Sequence, residues 1–152
     1  MAGARTFDDL ERGMSETSPG RTVTEADVVA FAGLSGDYNP LHTDAVHAAR
    51  GGYGRRVVHG LLATAIASGL FTRTELSSSL QPSLVAMLGL DVRFLAPVFF
   101  GDTLSVCATV IELRPTRDGA RGVATIERVL LTQEGTRAQE IVTPLLLDRV
   151  RS

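Results

Sequence analysis

Apolar and polar residues follow a helical spacing in the first half of the chain. Thr24 precedes acidic residues and then an apolar pattern, which predicts a short helix from Glu25 to about Gly33. The segment Gly60–Phe71 reads GLLATAIASGLF and is apolar on every side, so it predicts a helix in the protein interior. A membrane span would need roughly 20 apolar residues, and this run ends at Arg73. We therefore expect a core helix and no membrane span.

The second half of the chain has the pattern of β-strands. Four apolar runs are separated by turn signals at Gly101-Asp102, Asp118-Gly119 and Glu134-Gly135. The runs are Leu84 to Phe94, Thr103 to Arg114, Gly122 to Leu131 and Arg137 to Leu147. Pro144 in the last run predicts a strand edge or a bulge. Tight turns predict an antiparallel sheet, and one apolar helix needs a curved sheet to wrap around it. Residues 1–152 therefore predict a single α+β domain.

Composition excludes several classes of protein. With 152 residues, 44% hydrophobic and 21% charged, the chain has the make-up of one globular domain. A formal net charge of -2 gives no basic footprint for nucleic acid. Charged residues interrupt the first twelve positions, so we expect no secretory signal and a cytoplasmic protein. Cys107 stands alone, which excludes an intrachain disulfide and a cysteine-cluster metal site, and we interpret it as core packing.

The segment Phe31 to His42 reads FAGLSGDYNPLH and has the residues of a bend. Pro40 is excluded from a helix interior and pushes Asn39 toward extended geometry, so Asp37 and His42 are expected on an irregular loop. Their side chains could converge on one water, where a carboxylate and an imidazole form an acid/base pair. The alternative is that Asp37 and Asn39 form turns and His42 is a satisfied polar residue.

The segment Arg55 to Gly60 reads RRVVHG and leads into the apolar helix. Gly60 has no side chain to block its own N–H, and a helix N-terminus suits a developing negative oxygen. The alternative is that Gly60 permits close packing and His59 caps the helix. Arg55 and Arg56 could contact the phosphates of a ligand, because arginine matches phosphate geometry, although a solvated loop is at least as good an explanation for both.

These two segments resemble the signature of the MaoC-like R-specific enoyl-CoA hydratase and dehydratase family. The first is Ser35-Gly36-Asp37-Tyr38-Asn39-Pro40-Leu41-His42 and the second is Val58-His59-Gly60. Phe94-Leu95-Ala96-Pro97-Val98 and Gly101-Asp102 are also similar to that family, and the resemblance extends from about Val23 to Leu147.

The resemblance implies a hot dog fold, a homodimer, and a substrate that is an acyl-CoA or acyl-carrier-protein thioester. It implies that Asp37 and His42 activate water while the Gly60 N–H polarises the thioester carbonyl. Asn39 and Ser68 match supporting positions, and His59 could contact the substrate. The reaction is then the reversible hydration of a trans-2-enoyl thioester to an R-3-hydroxyacyl thioester, with no metal and no cofactor beyond the coenzyme A or phosphopantetheine of the substrate.

Three rival functions remain open at this point. A 3-hydroxyacyl-carrier-protein dehydratase would use the same residues in the reverse direction. A hot dog thioesterase would attack the carbonyl carbon, and the Asp37-to-His42 motif speaks against it. A noncatalytic acyl-CoA-binding protein would keep the fold without the chemistry, and the intact motif weighs against it.

Overall fold

A computed structural model describes residues 3–149 of the chain. The helices are α1 (Glu25–Ser35), α2 (Pro40–Thr43), α3 (Ala45–Ala49), α4 (Gly60–Phe71) and α5 (Glu75–Leu80). The strands are β1 (Ser15–Thr17), β2 (Arg21–Thr22), β3 (Leu84–Met87), β4 (Asp91–Phe94), β5 (Thr103–Pro115), β6 (Arg121–Leu131) and β7 (Arg137–Asp148). Within the described residues, no helix has both the length and the apolar character needed to cross a membrane.

One antiparallel sheet holds the strands in the order β1-β5-β6-β7-β3, with β2 also paired to β5 and β4 also paired to β7. Alternate residues of the three long strands face the helices and are buried, among them Val106, Ile126 and Ile141. They pack against Ile66 and Leu70 of α4 in one hydrophobic core. The predicted α+β architecture, a curved antiparallel sheet around a helix, is therefore confirmed.

The helix α4 begins and ends where the sequence predicts, but it is not enclosed on every side. Leu62, Ala63 and Ala67 are buried, whereas Leu61 is 64% exposed and Ser68 is also exposed. The sheet of the same chain covers only the helix face that carries Leu62, Ala63 and Ala67. The apolar residues on the other face are therefore left uncovered by the described part of the chain.

The predicted strand Leu84 to Phe94 is wrong as a single element, because it is broken into β3 and β4. Both pair with β7, and Pro144 of β7 lies opposite the break. The Pro144 carbonyl accepts a hydrogen bond from the Leu88 N–H at 2.9 Å. The Pro144 nitrogen faces the same side of β7 and carries no hydrogen, so it has nothing to donate to the neighbouring strand at the break. Pro144 therefore lies in an interior strand and not at an edge, and it interrupts the neighbouring strand.

Two further predictions from the sequence are wrong, and both concern β5 and the strands next to it. The first half of the chain contributes β1 and β2 to the sheet, which the helical pattern there did not predict. Cys107 is half-buried and its Sγ lies 3.6 Å from Ser15 Oγ, on the side of β5 that faces away from α4. It is therefore not a core residue. The three predicted turns are confirmed, with positive φ at their glycines.

Candidate active site

The loop that carries Asp37 is fixed at both ends by local hydrogen bonds. Thr24 caps α1 as predicted, and the helix ends at Gly36, whose φ of 76° turns the chain sharply. The Asp37 N–H then donates to Ser35 Oγ at 3.2 Å, and the Asn39 N–H donates to Asp37 Oδ1 at 3.2 Å. These bonds hold the exposed Asp37 carboxylate over the end of α1.

His42 lies in a one-turn helix and not in the irregular loop that the sequence predicted. Pro40 is tolerated because it occupies the first turn of α2, where its missing N–H has no acceptor to lose. Asn39 caps this turn, with its Oδ1 accepting from the Leu41 N–H at 3.0 Å. Asn39 therefore fixes the backbone between Asp37 and His42, and its supporting role in a reaction remains a prediction.

The position of the His42 ring is set by Val57. His42 Nδ1 lies 2.7 Å from the Val57 carbonyl oxygen, which can only accept a hydrogen bond. The Nδ1 atom must therefore carry the proton, and in the neutral ring Nε2 keeps its lone pair. His42 thus presents a proton acceptor on the side away from Val57.

His59 is buried beneath both of these residues, with 1% of its surface exposed. Its Nε2 donates to the Asp37 carbonyl oxygen at 2.9 Å, and its ring stacks on His42 with centroids 3.9 Å apart. It makes no side-chain cap of α4 and does not line the cavity described below. The structure therefore places His59 as a support for Asp37 and His42, away from the substrate contact that the sequence suggested.

Asp37, His42 and His59 converge, because one side-chain ligand atom from each lies within 4.8 Å of the others. A water held between the carboxylate and His42 Nε2 could lose a proton to either group. The same three groups have the chemistry to bind a divalent metal such as zinc. The predicted convergence of Asp37 with His42 is present, and His59 joins them.

Gly60 begins α4 beside His42, at the wall of a cavity of about 280 Å³. Its N–H has no hydrogen-bond acceptor among residues 3–149. A Cβ built on Gly60 would lie 2.7 Å from Cε1 of Phe94, whose ring also lines the cavity. The Gly60 N–H is therefore available to a ligand oxygen, and Phe94 limits what can approach it.

Two polar side chains that the sequence did not point to hold the Gly60 peptide. Gln139 is 2% exposed, and its Nε2 donates to the Gly60 carbonyl oxygen at 2.8 Å. Thr64 Oγ1 is 3.0 Å from the same oxygen and 2.9 Å from Gln139 Oε1. The sequence signal that could have identified Gln139 was a polar residue at an inward-facing position of an otherwise apolar strand.

Other predicted site residues lie outside this group. Ser68 is two helical turns further along α4 and lines a different cavity, so the structure does not bring it to Asp37 and His42. Arg56 is paired with Glu25 through two hydrogen bonds of 2.7 Å, which lower the pKa of Glu25 and raise that of Arg56. Arg55 lies over the Phe99 ring at 3.7 Å. Of the two arginines, only Arg55 remains a candidate for a phosphate contact.

Comparison with known proteins gives a consistent result. Residues 11–133 match the family described as MaoC like domain. The chain is 37% identical over 113 residues to the (R)-specific enoyl-CoA hydratase of Aeromonas caviae, covering 74% of the chain and 78% of that protein. It is 41% identical over 104 residues to Protein MaoC of Klebsiella aerogenes, covering 68% of the chain and 30% of that protein.

Solved structures agree with these sequence relatives. The structure named as the monoamine oxidase regulatory protein from Archaeoglobus fulgius has a TM-score of 0.89 at 31% identity, covering 98% of this chain and 97% of that chain. A Mycobacterium tuberculosis protein with a double hot dog fold has a TM-score of 0.79 at 23% identity, covering 97% of this chain and 45% of that chain, which shows the fold alone. The chain therefore belongs to the MaoC-like family of hot dog hydratases and dehydratases.

Proposed function

We propose that this chain catalyses the reversible addition of water to a trans-2-enoyl thioester, giving an R-3-hydroxyacyl thioester. The observation that carries the proposal is the position of His42, which lies close to the Asp37 carboxylate and lines the same cavity as Gly60. A carboxylate oxygen of Asp37 lies within 4.8 Å of a ring nitrogen of His42, and His42 lines the same cavity as Gly60, whose N–H has no acceptor in the described part of the chain. A hydration needs these functions together, since it moves a proton and develops charge on the thioester oxygen.

Asp37 and His42 act on one water. The water oxygen bonds to the β carbon while the water gives up a proton to the enzyme, and the protonated group then returns that proton to the α carbon as the double bond is lost. With His42 Nδ1 donating to Val57, Nε2 is the atom that accepts the water proton, and the Asp37 carboxylate orients the water. The configuration of the product follows from the family resemblance and not from these distances.

The Gly60 N–H stabilises the enolate-like oxygen that forms on the thioester. One such donor contributes about a hundredfold or more in rate. Its direction depends on the first peptide of α4, whose carbonyl is held by Gln139 and Thr64. We infer that these two are positioning residues for the oxyanion donor.

The same residues catalyse the reverse step, so dehydration of a 3-hydroxyacyl-carrier-protein thioester is the nearest alternative. Arg55 supports either carrier, because coenzyme A and phosphopantetheine both present phosphate. A thioesterase is disfavoured because the Asp37-to-His42 motif is that of the hydratase and dehydratase family to which the chain belongs. We further propose that residues 1–152 act as one MaoC-like domain in a cytoplasmic homodimer, without a metal or further cofactor.

The test follows the absorbance of crotonyl-CoA, which falls when its conjugated double bond is hydrated. We expect a fall that depends on protein concentration and is unchanged after dialysis against a strong chelator. A flat trace together with measurable acyl-CoA binding would instead identify a noncatalytic binding protein. Loss of activity on chelation, restored by zinc, would show that Asp37, His42 and His59 hold a metal.

A further inference from the structure

A second cavity, of about 150 Å³, lies at the far end of α4 from Gly60. Its walls come from α4, α5, β3, β6 and β7, and most of its lining is apolar, including Phe71, Leu80 and Ile126. Polar side chains also line it, namely Ser68, Thr72, Ser77 and Thr143, and Arg128 is its one charged residue. A cavity with this lining favours an apolar ligand that carries one polar group.

Arg128 occupies a position where the fold otherwise places aliphatic side chains. Its neighbours on the inward face of β6, Ile126 and Leu130, are fully buried, and Arg128 itself is only 4% exposed. Its Nη2 donates to Thr143 Oγ1, and its Cζ lies 5.3 Å from the centroid of the Phe71 ring. Its Nε is buried without a hydrogen-bond partner among the described residues.

The charge of Arg128 is not compensated within the described part of the chain. No carboxylate of residues 3–149 forms a salt bridge with it, and burial lowers the pKa of its guanidinium. Arginine nevertheless stays protonated in proteins. An unpaired buried charge is costly, and an apolar residue of similar volume would serve packing better. An anion that enters the cavity would compensate this charge.

The second cavity is separate from the cavity at Gly60, but the same two elements, α4 and β7, contribute to the walls of both. The helix α4 carries Gly60 at one cavity and Ser68 at the other, eight residues apart, which is about 12 Å of helix. The strand β7 likewise carries Gln139 at the first cavity and Thr143 at the second. An acyl chain whose thioester oxygen meets the Gly60 N–H and which runs parallel to α4 would reach the second cavity, and Arg128, with its distal end.

We propose that Arg128 and its cavity bind the distal carboxylate of the acyl group, so that the substrates are enoyl thioesters of dicarboxylic acids. This inference rests on the proposed function, because that function places the thioester at Gly60. A carboxylate is favoured over a neutral group, since a guanidinium in an apolar cavity gains most from an opposite charge and its planar donors match two carboxylate oxygens. The separation of the cavities corresponds to a chain of roughly ten carbons.

The test compares two trans-2-enoyl-CoA substrates of equal length, one ending in a methyl group and one in a carboxylate. The wild-type chain should have a kcat/KM for the carboxylate substrate at least about tenfold above that for the methyl substrate. Arg128→Met should lower this ratio by roughly thirtyfold or more, because a desolvated charge pair loses one member. Arg128→Lys keeps the charge and should retain part of the preference, while Arg117→Met in an exposed turn should leave the ratio unchanged.

Failure of this inference can be distinguished from failure of the proposed function. If both substrates are hydrated but the methyl-terminated one is preferred by wild type and by Arg128→Met alike, the carboxylate site is refuted. If neither is hydrated, the proposed function fails, and calorimetric binding of the two saturated acyl-CoA analogues still tests Arg128. Equal affinity of wild type for both analogues would refute the site, and tighter binding of the carboxylate analogue would support it. The wild-type comparison remains decisive even if Arg128→Met does not fold.

Discussion

The ring of His59 stacks on the ring of His42 with a centroid distance of 3.9 Å and an interplanar angle of 30°. The same buried ring donates to the carbonyl of Asp37 at 2.9 Å. One side chain that does not line the active-site cavity thus sets the positions of both members of the proposed dyad.

Replacement of His59 tests this positioning role. His59→Phe can keep the stack but loses the bond to Asp37, so kcat should fall about tenfold to a hundredfold through misplacement of the dyad. His59→Gln retains a donor and should recover part of the loss. The matched control is His47→Phe at an exposed position of α3, which should leave kcat unchanged. Normal turnover by a folded His59→Phe protein would show that the bond from His59 to Asp37 is only structural.

Gly60→Val tests the oxyanion donor. The new side chain would meet the Phe94 ring, which lies 2.7 Å from the position of a Cβ, and would crowd the space that the thioester oxygen must enter. We expect a strong loss of kcat/KM and a smaller red shift of bound cinnamoyl-CoA, because carbonyl polarisation is lost. Gly69→Val is the matched control, since a Cβ there meets nothing within 4 Å. An unchanged shift with normal crotonyl-CoA hydration would make Gly60 a packing residue only.

A homodimer is predicted from the family resemblance and from an uncovered apolar surface. Exposed residues of this surface include Leu61 at 64%, Met87 at 59% and Phe94 at 57%. Such a surface beside a strand edge favours association with a second copy. Light scattering should give about twice the chain mass of 16.2 kDa. Met87→Glu should weaken the dimer, whereas Val29→Glu on exposed α1 should not. A chain that remains monomeric at micromolar concentration would contradict the prediction.

The ion pair of Glu25 with Arg56 predicts a pH-dependent contribution to stability. Hydrogen bonds from Arg56 lower the pKa of Glu25 below its ordinary value of 4.5. A lowered folded-state pKa contributes stability above the unfolded value and loses it as pH falls through the folded value. Glu25→Gln should therefore be slightly less stable than wild type at neutral pH, with the difference fading below pH 4.5.

The measurement is thermal unfolding of Glu25→Gln and wild type across this pH range. Glu112→Gln, at an exposed position outside the described salt bridges, serves as the control. A stability difference for Glu25→Gln that persists at low pH would assign the effect to packing and not to the ion pair.

The main elements of the fold could be predicted because their patterns are long. The helix α4 and the strands β5, β6 and β7 each have ten or more residues, and their bounds agree with the prediction to within a residue or so. By contrast, β1 and β2 have three and two residues, too few for an alternating pattern to emerge. The break between β3 and β4 depends on Pro144, about fifty residues later in the chain, and so requires knowledge of the pairing.

The candidate site was predictable where the chemistry is local in sequence. Asp37 and His42 are five residues apart in one bend, and the structure brings them together. Gln139 was missed because it reaches Gly60 across 79 positions of the chain. Ser68 was assigned by resemblance to the same site, but α4 separates it from Gly60 by two helical turns. The role of Ser68 in support of Asp37 and His42 remains a prediction, and the position of Ser68 within the single chain does not favour it.

The central claim is that Asp37 and His42 act as a unit on one water. The most direct measurement is the rate of crotonyl-CoA hydration by Asp37→Ala, His42→Ala and the double mutant, each shown to be folded. Each single mutant should lose about a hundredfold to ten-thousandfold in kcat, and the double mutant should lose far less than the product of the two. Near-normal hydration by either folded single mutant, or fully multiplicative losses, would contradict the dyad.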